Sequence, residues 1–311
     1  MNAEAGLSVS IMPGLRLVNP VIGASGTFGY GDDWEGLVDI QQLGAIICKG
    51  TTLKPRDGNP QPRVVEVSAG MLNSIGLQNI GVDALIREKA PVWAEWKVPV
   101  IVNIAGESVE EYRKMAEKLD GVKGISGIEV NISCPNVKQG GMHFGTDAAT
   151  AARVTRAVKK STSLPVMVKL SPNVTDIVKI ARAVEDAGAD AISLINTLSG
   201  TAIDVRSRKP KLGNVIGGLS GPAIKPVALW MVYRVAGVVG VPVIGCGGIM
   251  NAEDALEFII AGATAIQIGT ASLIDPQATL KIISGLSSYL AVEGIRHISD
   301  IRGIARQEPP L

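Results

Sequence analysis

Residues 98–106 read VPVIVNIAG. From Val98 to Val102 every residue is apolar, and the run then stops at Asn103. A strand that buries one face alternates apolar and polar residues. A nearly continuous Val/Ile run is what a strand covered on both faces requires, as in a parallel sheet flanked by helices. The pattern recurs along the chain in PVIGAS (20–25), AIICKG (45–50), GIEVNIS (127–133), LPVMVKLS (164–171), AISLINT (191–197), VPVIGCGG (241–248) and AIQIGT (265–270). With VPVIVNIAG these make eight runs. Between them lie amphipathic stretches expected to be helices, at 32–42, 83–96, 108–119, 147–160, 175–187, 223–239 and 251–261, with a last one near 276–290. Eight β/α units point to an α/β fold of the (β/α)8 TIM-barrel type. The alternative is a doubly wound sheet, which the lack of a G-x-G-x-x-G opening the first helix weakens. Residues 7–18, LSVSIMPGLRLV, alternate about Pro13-Gly14 and read as an N-terminal β-hairpin plugging the barrel bottom. Two long βα loops, 53–82 and 198–222, are expected over the C-terminal face. No linker or low-complexity tract interrupts residues 1–311, so a single domain is expected.

Composition narrows the function. The chain has 311 residues, 46% apolar and 19% charged, with a net charge of +1. A globular chain with no nucleic-acid partner is expected from that balance. No long apolar run lacks glycine or charge, and MNAEAGLSVS has neither a basic nor an apolar signal region. The reading is therefore no membrane span and no signal peptide. The three cysteines, Cys48, Cys134 and Cys246, are far apart and never form C-x-x-C. That argues against a disulfide framework and against a zinc or iron–sulfur site in this chain, and it suits a cytoplasmic compartment. The two histidines, His143 and His297, are too few for a His-rich metal site. His143 reads as solvated or as a gate residue, His297 as structural.

In a (β/α)8 barrel the active site lies at the C-terminal strand ends. Here those ends are Ser25, Lys49, Asn103, Asn131, Lys169 and Asn196, followed by Gly247-Gly248 and Gly269-Thr270. Lys49 and Lys169 each follow an apolar run directly, and a lysine facing a barrel mouth calls for an anionic partner. Glycines after strands seven and eight suit a phosphate, which fits a phosphorylated ligand; tight turns are the plainer explanation. Cys134, in NISCPNV (131–137), ends a strand just before a proline, which confines it to extended geometry. A packed thiol is the ordinary role for a free cysteine and is the reading for Cys48 and Cys246. Cys134, followed by the glycine-rich VKQGGMHFG, suits a catalytic acid or base under a gate.

SGTFGYG (25–31), NSIGLQN (73–79), NISCPNV (131–137), INT (195–197), GGLSGPAIKP (217–226), GCGGI (245–249) and IGTA (268–271) together resemble the dihydroorotate dehydrogenases, from about residue 7 to about residue 305. The resemblance implies FMN-dependent oxidation of dihydroorotate to orotate in pyrimidine synthesis. It implies flavin contacts from Ser25, Lys49, Gly50, Asn103, Asn131, Lys169, Ile195, Gly221, Gly247, Gly248, Gly269 and Thr270. It implies substrate contacts from Lys49, Asn73, Ser74, Ile75, Gly76, Leu77, Asn131, Asn136, Asn196 and Thr197. Cys134 is then the general base that takes the C5 proton while hydride passes from C6 to flavin N5.

Cysteine as the base, and a barrel beginning almost at once, resemble the quinone-using, membrane-associated members less. GGLSGPAIKP and CPNVKQGG are similar to the NAD-linked form, in which a second subunit carries FAD and a [2Fe–2S] cluster. That resemblance implies a homodimer of this chain plus two electron-transfer subunits, a heterotetramer. Four alternatives stand beside it. They are a fumarate-linked homodimer, a dihydropyrimidine dehydrogenase module, a dihydrouridine synthase, and a non-catalytic phosphate-binding barrel that scaffolds a partner.

Overall fold

The computed structural model describes residues 6–133 and 144–306. It opens with the hairpin expected at 7–18. Strands β1 (Val9–Met12) and β2 (Leu15–Leu17) pair antiparallel, with Val9 opposite Leu17. Gly14 turns the chain at φ +72°, a left-handed conformation that costs glycine no Cβ clash.

Chain order then gives β3 (Val21–Gly23), β4 (Ala45–Ile47), the pair β5 (Val64–Val67) and β6 (Gly70–Asn73), β7 (Val100–Ile104), β8 (Gly127–Asn131), β9 (Val166–Lys169) and β10 (Ala191–Leu194). Four short strands follow, β11 (Leu198–Gly200), β12 (Ile203–Asp204), β13 (Lys209–Pro210) and β14 (Gly217–Ser220), and then β15 (Val243–Cys246) and β16 (Ala265–Ile268).

The eight expected runs become β3, β4, β7, β8, β9, β10, β15 and β16. They pair in that order, all parallel, and β16 returns to β3 with Ile266 opposite Val21 to close the barrel. Closure removes every sheet edge and rules out the doubly wound alternative. The (β/α)8 TIM barrel is therefore the fold. Side chains fill it from both faces: Ile22, Ile46, Ile101, Ile128 and Val168 are fully buried. The hairpin covers the N-terminal end, where a Cβ on Gly127, the first residue of β8, would come within 3.1 Å of Met12 Cε.

The outer helices are α1 (Val82–Glu88), α2 (Ala90–Trp93), α3 (Val109–Leu119), α4 (Ala148–Lys159), α5 (Ile177–Asp186), α6 (Lys225–Ala236), α7 (Ala252–Ala261), α8 (Thr270–Ile274) and α9 (Ala278–Val292). Helix α3 shows why they form. Ser108 caps it by accepting from Glu111 N at 3.2 Å, a contact worth about 1 kcal/mol. Glu110 and Glu111 complement its positive end, and Tyr112, Met115, Ala116 and Leu119 make the face buried on the barrel. Asp147, Asp176 and Asn251 cap α4, α5 and α7 in the same way.

Two expectations need correction. Residues 32–42 do not form one helix but two 3-10 turns, Asp32–Trp34 and Ile40–Gln42, separated by Gly36 at φ +77°. The stretch 83–96 is split, because Pro91 brings no N–H to an α-helical ladder; α1 ends at Glu88 and α2 restarts at Ala90. The two long loops lie over the C-terminal face as expected, and each carries short strands. β5 and β6 from the first meet β11 and β14 from the second in a four-stranded antiparallel sheet, β11-β14-β6-β5, with Leu72 opposite Leu219. Among the described residues, no helix is long and apolar enough to cross a membrane.

Candidate functional site

The strands that close the barrel all point their C-terminal ends at one cavity of about 910 Å³, over which the β11-β14-β6-β5 sheet lies. Ser25, Lys49, Gly50, Asn103, Asn131, Lys169, Ile195, Gly221, Gly247, Gly248, Gly269 and Thr270 all line it. So do Asn73, Ser74, Ile75, Gly76, Leu77, Asn196 and Thr197. The site residues expected from sequence are thus brought together, from positions up to 245 residues apart. Cys134 and Asn136 lie outside the described residues, as does His143. Ser133, the last described residue before that stretch, lines the cavity, and its backbone N–H donates to Asn131 Oδ1 at 3.1 Å.

The floor of the cavity is a buried polar layer inside the barrel. Glu129, in the middle of β8, has no solvent exposure. Its Oε1 accepts from Ser193 Oγ at 2.8 Å and from Gln267 Nε2 at 2.7 Å, and its Oε2 accepts from Asn103 Nδ2 at 2.6 Å. Lys169 Nζ donates to Gln267 Oε1 at 2.9 Å and to Ser25 Oγ at 3.4 Å, and stands 3.9 Å from Glu129 Oε2. A buried charge is tolerable only when paired and hydrogen-bonded, and this layer meets both conditions. One atom remains unmet: Asn103 Oδ1 is buried without a hydrogen-bond partner among the described residues. Sequence reasoning missed Glu129, Gln267 and Ser193. The available signal was a polar residue in the middle of an apolar strand run: Glu129 in GIEV, Gln267 in AIQI, Ser193 in AISL.

Above that floor, the end of β8 and the turn after β10 present asparagines side by side. Asn196 Nδ2 donates to Asn131 Oδ1 at 3.3 Å, and Tyr112 of α3 anchors the turn by donating to the Asn131 carbonyl at 2.7 Å. The sheet above supplies Asn73, whose Nδ2 donates to the Gly218 carbonyl at 3.3 Å. Asn59, also missed from sequence, donates to Ser74 Oγ at 3.0 Å and ties the 53–82 connection to β6. Lys49, after β4, lines the same space, and no acceptor among the described residues takes its ammonium.

The far side is built from backbone. Gly247 at φ +125° and Gly248 at φ +76° turn the chain after β15 in a way that side chains rarely allow. A Cβ on Gly248 would stand 2.7 Å from the backbone nitrogen of Lys225, and one on Gly221 2.9 Å from Gly70 Cα. Thr270 Oγ1 donates to Ser220 Oγ at 2.9 Å, joining the loop after β16 to β14. Lys225 Nζ is clamped by Asp254 at 2.6 Å and Glu257 at 2.7 Å, and Asp254 also accepts from Met250 N at 2.8 Å, so the glycine loop is held from behind.

The two described cysteines differ. Cys48 is fully buried, and burial pushes its thiol up to about 12, the unreactive state of a packed residue. Cys246, expected to be packed as well, instead ends β15 at the cavity wall. Burial raises its thiol too, against the lowering effect of the Lys169 ammonium. His297 caps a 3-10 turn, with Nδ1 accepting from Ser299 N at 3.2 Å. Among the described residues, no group of three or more His, Cys, Asp or Glu side chains is placed to hold a metal.

Comparison with known proteins agrees with this arrangement. Residues 7–290 match the family model for dihydroorotate dehydrogenase. The chain is 60% identical over 291 residues to the dihydroorotate dehydrogenase B (NAD(+)) catalytic subunit of Desulforamulus reducens, covering 94% of this chain and 96% of that one. It is 57% identical over 297 residues to the protein of the same description from Geobacter sp. strain M21, covering 96% and 97%. A third, from Geotalea daltonii, is 56% identical over 301 residues, covering 97% and 98%. With the closed barrel, the convergent strand ends and these matches together, the chain belongs to the dihydroorotate dehydrogenase family.

Proposed function

We propose that this chain oxidises dihydroorotate to orotate, with FMN seated between the polar floor and the glycine loops of the 910 Å³ cavity. One observation carries the reading. A fully buried acceptor, Asn103 Oδ1, is left unmet beside Gly50, where a Cβ would come within 3.1 Å of it. An unmet buried acceptor costs about 1–3 kcal/mol, which a hydrogen-bond donor on a bound ligand would recover. The glycine loops at 247–248 and 269 give close backbone approach for a phosphate. The residues present therefore fit FMN, and a bound FMN supplies the two-electron acceptor for the hydride leaving C6.

The remaining steps fall to side chains. Lys49, free of any described partner, pairs with the substrate carboxylate. Asn73, Asn131 and Asn196 each offer a donor and an acceptor, which suits the two amide edges of the pyrimidine ring. Ser74, Ile75, Gly76, Leu77, Asn136 and Thr197 complete the substrate side. Lys169 is a fixed cation in the polar floor, so with FMN bound it would stabilise negative charge as that charge develops, with no reorganisation. Cys134 takes the C5 proton onto Sγ; its thiolate is favoured by nearby positive charge and by alkaline pH.

The relatives' description as NAD(+)-linked catalytic subunits supports NAD as the final acceptor here. The electrons reach it through a partner subunit with FAD and [2Fe–2S], in a cytoplasmic heterotetramer built on a homodimer of this one-domain chain.

The test is an anaerobic visible spectrum of the purified chain. It should be yellow, bleach with dihydroorotate, and recover with NAD only once the partner is added. Recovery with fumarate alone would overturn the acceptor. A colourless protein indifferent to dihydroorotate after FMN is supplied would overturn the whole reading.

A further inference from the structure

The residue with the most unusual surroundings is one that the reading above does not use. Glu129 is a carboxylate in the interior of a barrel strand, with neighbours Ile128 and Val130 fully buried. Such a position normally selects an apolar side chain, because a buried charge is costly unless several donors meet it. Three donors converge on Glu129: Asn103 Nδ2 at 2.6 Å, Gln267 Nε2 at 2.7 Å and Ser193 Oγ at 2.8 Å. They come from β7, β16 and β10, the first and last of them one and two strands away from β8 round the barrel.

The direction of these bonds matters more than their number. A carboxylate offers only acceptors, so the Asn103 amide must turn its nitrogen to Glu129, which leaves its oxygen on the side of Gly50. The same logic runs on the other side. Lys169 Nζ, a donor only, takes Gln267 Oε1 at 2.9 Å, which leaves Gln267 Nε2 for Glu129. Both ends of the layer are thereby fixed. Asn103 presents a bare acceptor, and Lys169 is balanced by one negative charge, 3.9 Å away and bridged by Gln267.

We propose that Glu129, acting through Asn103 and through Gln267 on Lys169, is a positioning residue that sets how strongly the site prefers reduced over oxidised cofactor. This inference rests on the FMN reading. Lys169 alone would favour the anionic reduced ring strongly. Glu129 offsets it, so that electrons taken from the substrate are not trapped and can pass onward.

The test measures FMN dissociation constants for the full chain stripped of its cofactor, once with oxidised FMN in air and once anaerobically with dithionite-reduced FMN. The readout is the ratio of the oxidised to the reduced constant. Glu129→Gln removes a negative charge in nearly the same volume, and the ratio should rise at least tenfold, the effect of one unit charge about 12 Å away at an effective dielectric near 20 and a lower bound for a nearer one. Glu129→Ala removes the same charge and leaves a cavity, and the ratio should rise by a similar factor. Damage to packing alone would weaken both constants in both variants and leave the ratio where it was. A rise in both supports the assignment, and if only one variant folds, its own shift decides. An unchanged ratio, or a shift of the wrong sign, overturns it. A wild-type chain that binds neither form of FMN refutes the cofactor reading, and the inference falls with it.

Discussion

Substituting Gly248 by alanine tests whether the loop after β15 holds a phosphate. Gly248 sits at φ +76°, where a Cβ costs about 1–2 kcal/mol in backbone strain. The new methyl would also lie 2.7 Å from the backbone nitrogen of Lys225. Backbone cannot swing away as a side-chain tip can. Lys225 is moreover held at its far end by Asp254 and Glu257, so α6 does not yield easily. Overpacking of this kind costs roughly 1–3 kcal/mol more. The total is about 2–5 kcal/mol if the loop keeps its shape. It is divided between two observables: a loop that stays put lowers the stability of the empty protein, and a loop that relaxes must be forced back when ligand binds. FMN titration by fluorescence quenching and thermal melting of the cofactor-free chain measure the two shares. If the loop relaxes, 2 kcal/mol alone weakens FMN binding about thirtyfold. Gly14→Ala is the control, with φ +72° and nothing within 4 Å, at the opposite end of the barrel. It should lose stability from strain and leave FMN affinity intact. Unchanged affinity and unchanged melting in Gly248→Ala would refute the assignment of this loop.

Cys134→Ala should keep its FMN but be reduced by dihydroorotate about 10²–10⁴-fold more slowly in anaerobic stopped flow, the usual contribution of a general base; near-normal reduction would remove Cys134 from that role. Gly218→Ala should raise KM for dihydroorotate and leave FMN affinity alone, because a Cβ there collides with Thr197 Oγ1 and displaces β14 from the substrate side; equal damage to both constants would argue against separate cofactor and substrate walls. Burial pushes the Cys48 thiol up to about 12, so above the ordinary value of 9.0 the unfolded chain gives up a proton that the folded chain keeps. Stability should therefore fall as pH rises from about 9 toward 12, and urea midpoints across that range should fall less in Cys48→Ala than in wild type.

The barrel was readable because its strands are buried on both faces. A run such as VPVIVNIAG admits few other folds, and each run ends where the polar mouth begins. Three helix starts were readable to within one residue: Ser108, Asp147 and Asn251, expected as first helical residues, are the N-caps of α3, α4 and α7. Residues 32–42 were misread because their apolar spacing suits a helix while Gly36 takes φ +77°, and nothing local announces that conformation. The same limit applies to Cys246. Its neighbours are apolar, but whether the last residue of a strand faces the core or the cavity depends on where the strand stops, and β15 stops one residue before the glycine turn.

The upper wall of the site was hidden for a different reason. β6 and β14 are separated by 143 residues between Asn73 and Gly217, yet Leu72 lies opposite Leu219 and Met71 opposite Ser220. Neither strand has the pattern of an independent sheet: GMLN and GGLS are short, part-buried and glycine-bearing. β5 and β11 pair along the outer edges of β6 and β14, but the β6–β14 pairing joins segments far apart in sequence, and a pairing of that kind leaves no trace in a local window. The glycines that make GGLS a poor strand make it a good wall. Gly218 lets Thr197 approach, Gly217 lies against the Asn73 carbonyl, and Gly221 lies against Gly70, so residues from two distant loops and the turn after β10 meet over one cavity. The lower half of the site follows from where barrel strands end. The upper half follows from two connections that fold on each other, which is why the motifs NSIGLQN and GGLSGPAIKP, far apart in sequence, form one surface in the molecule.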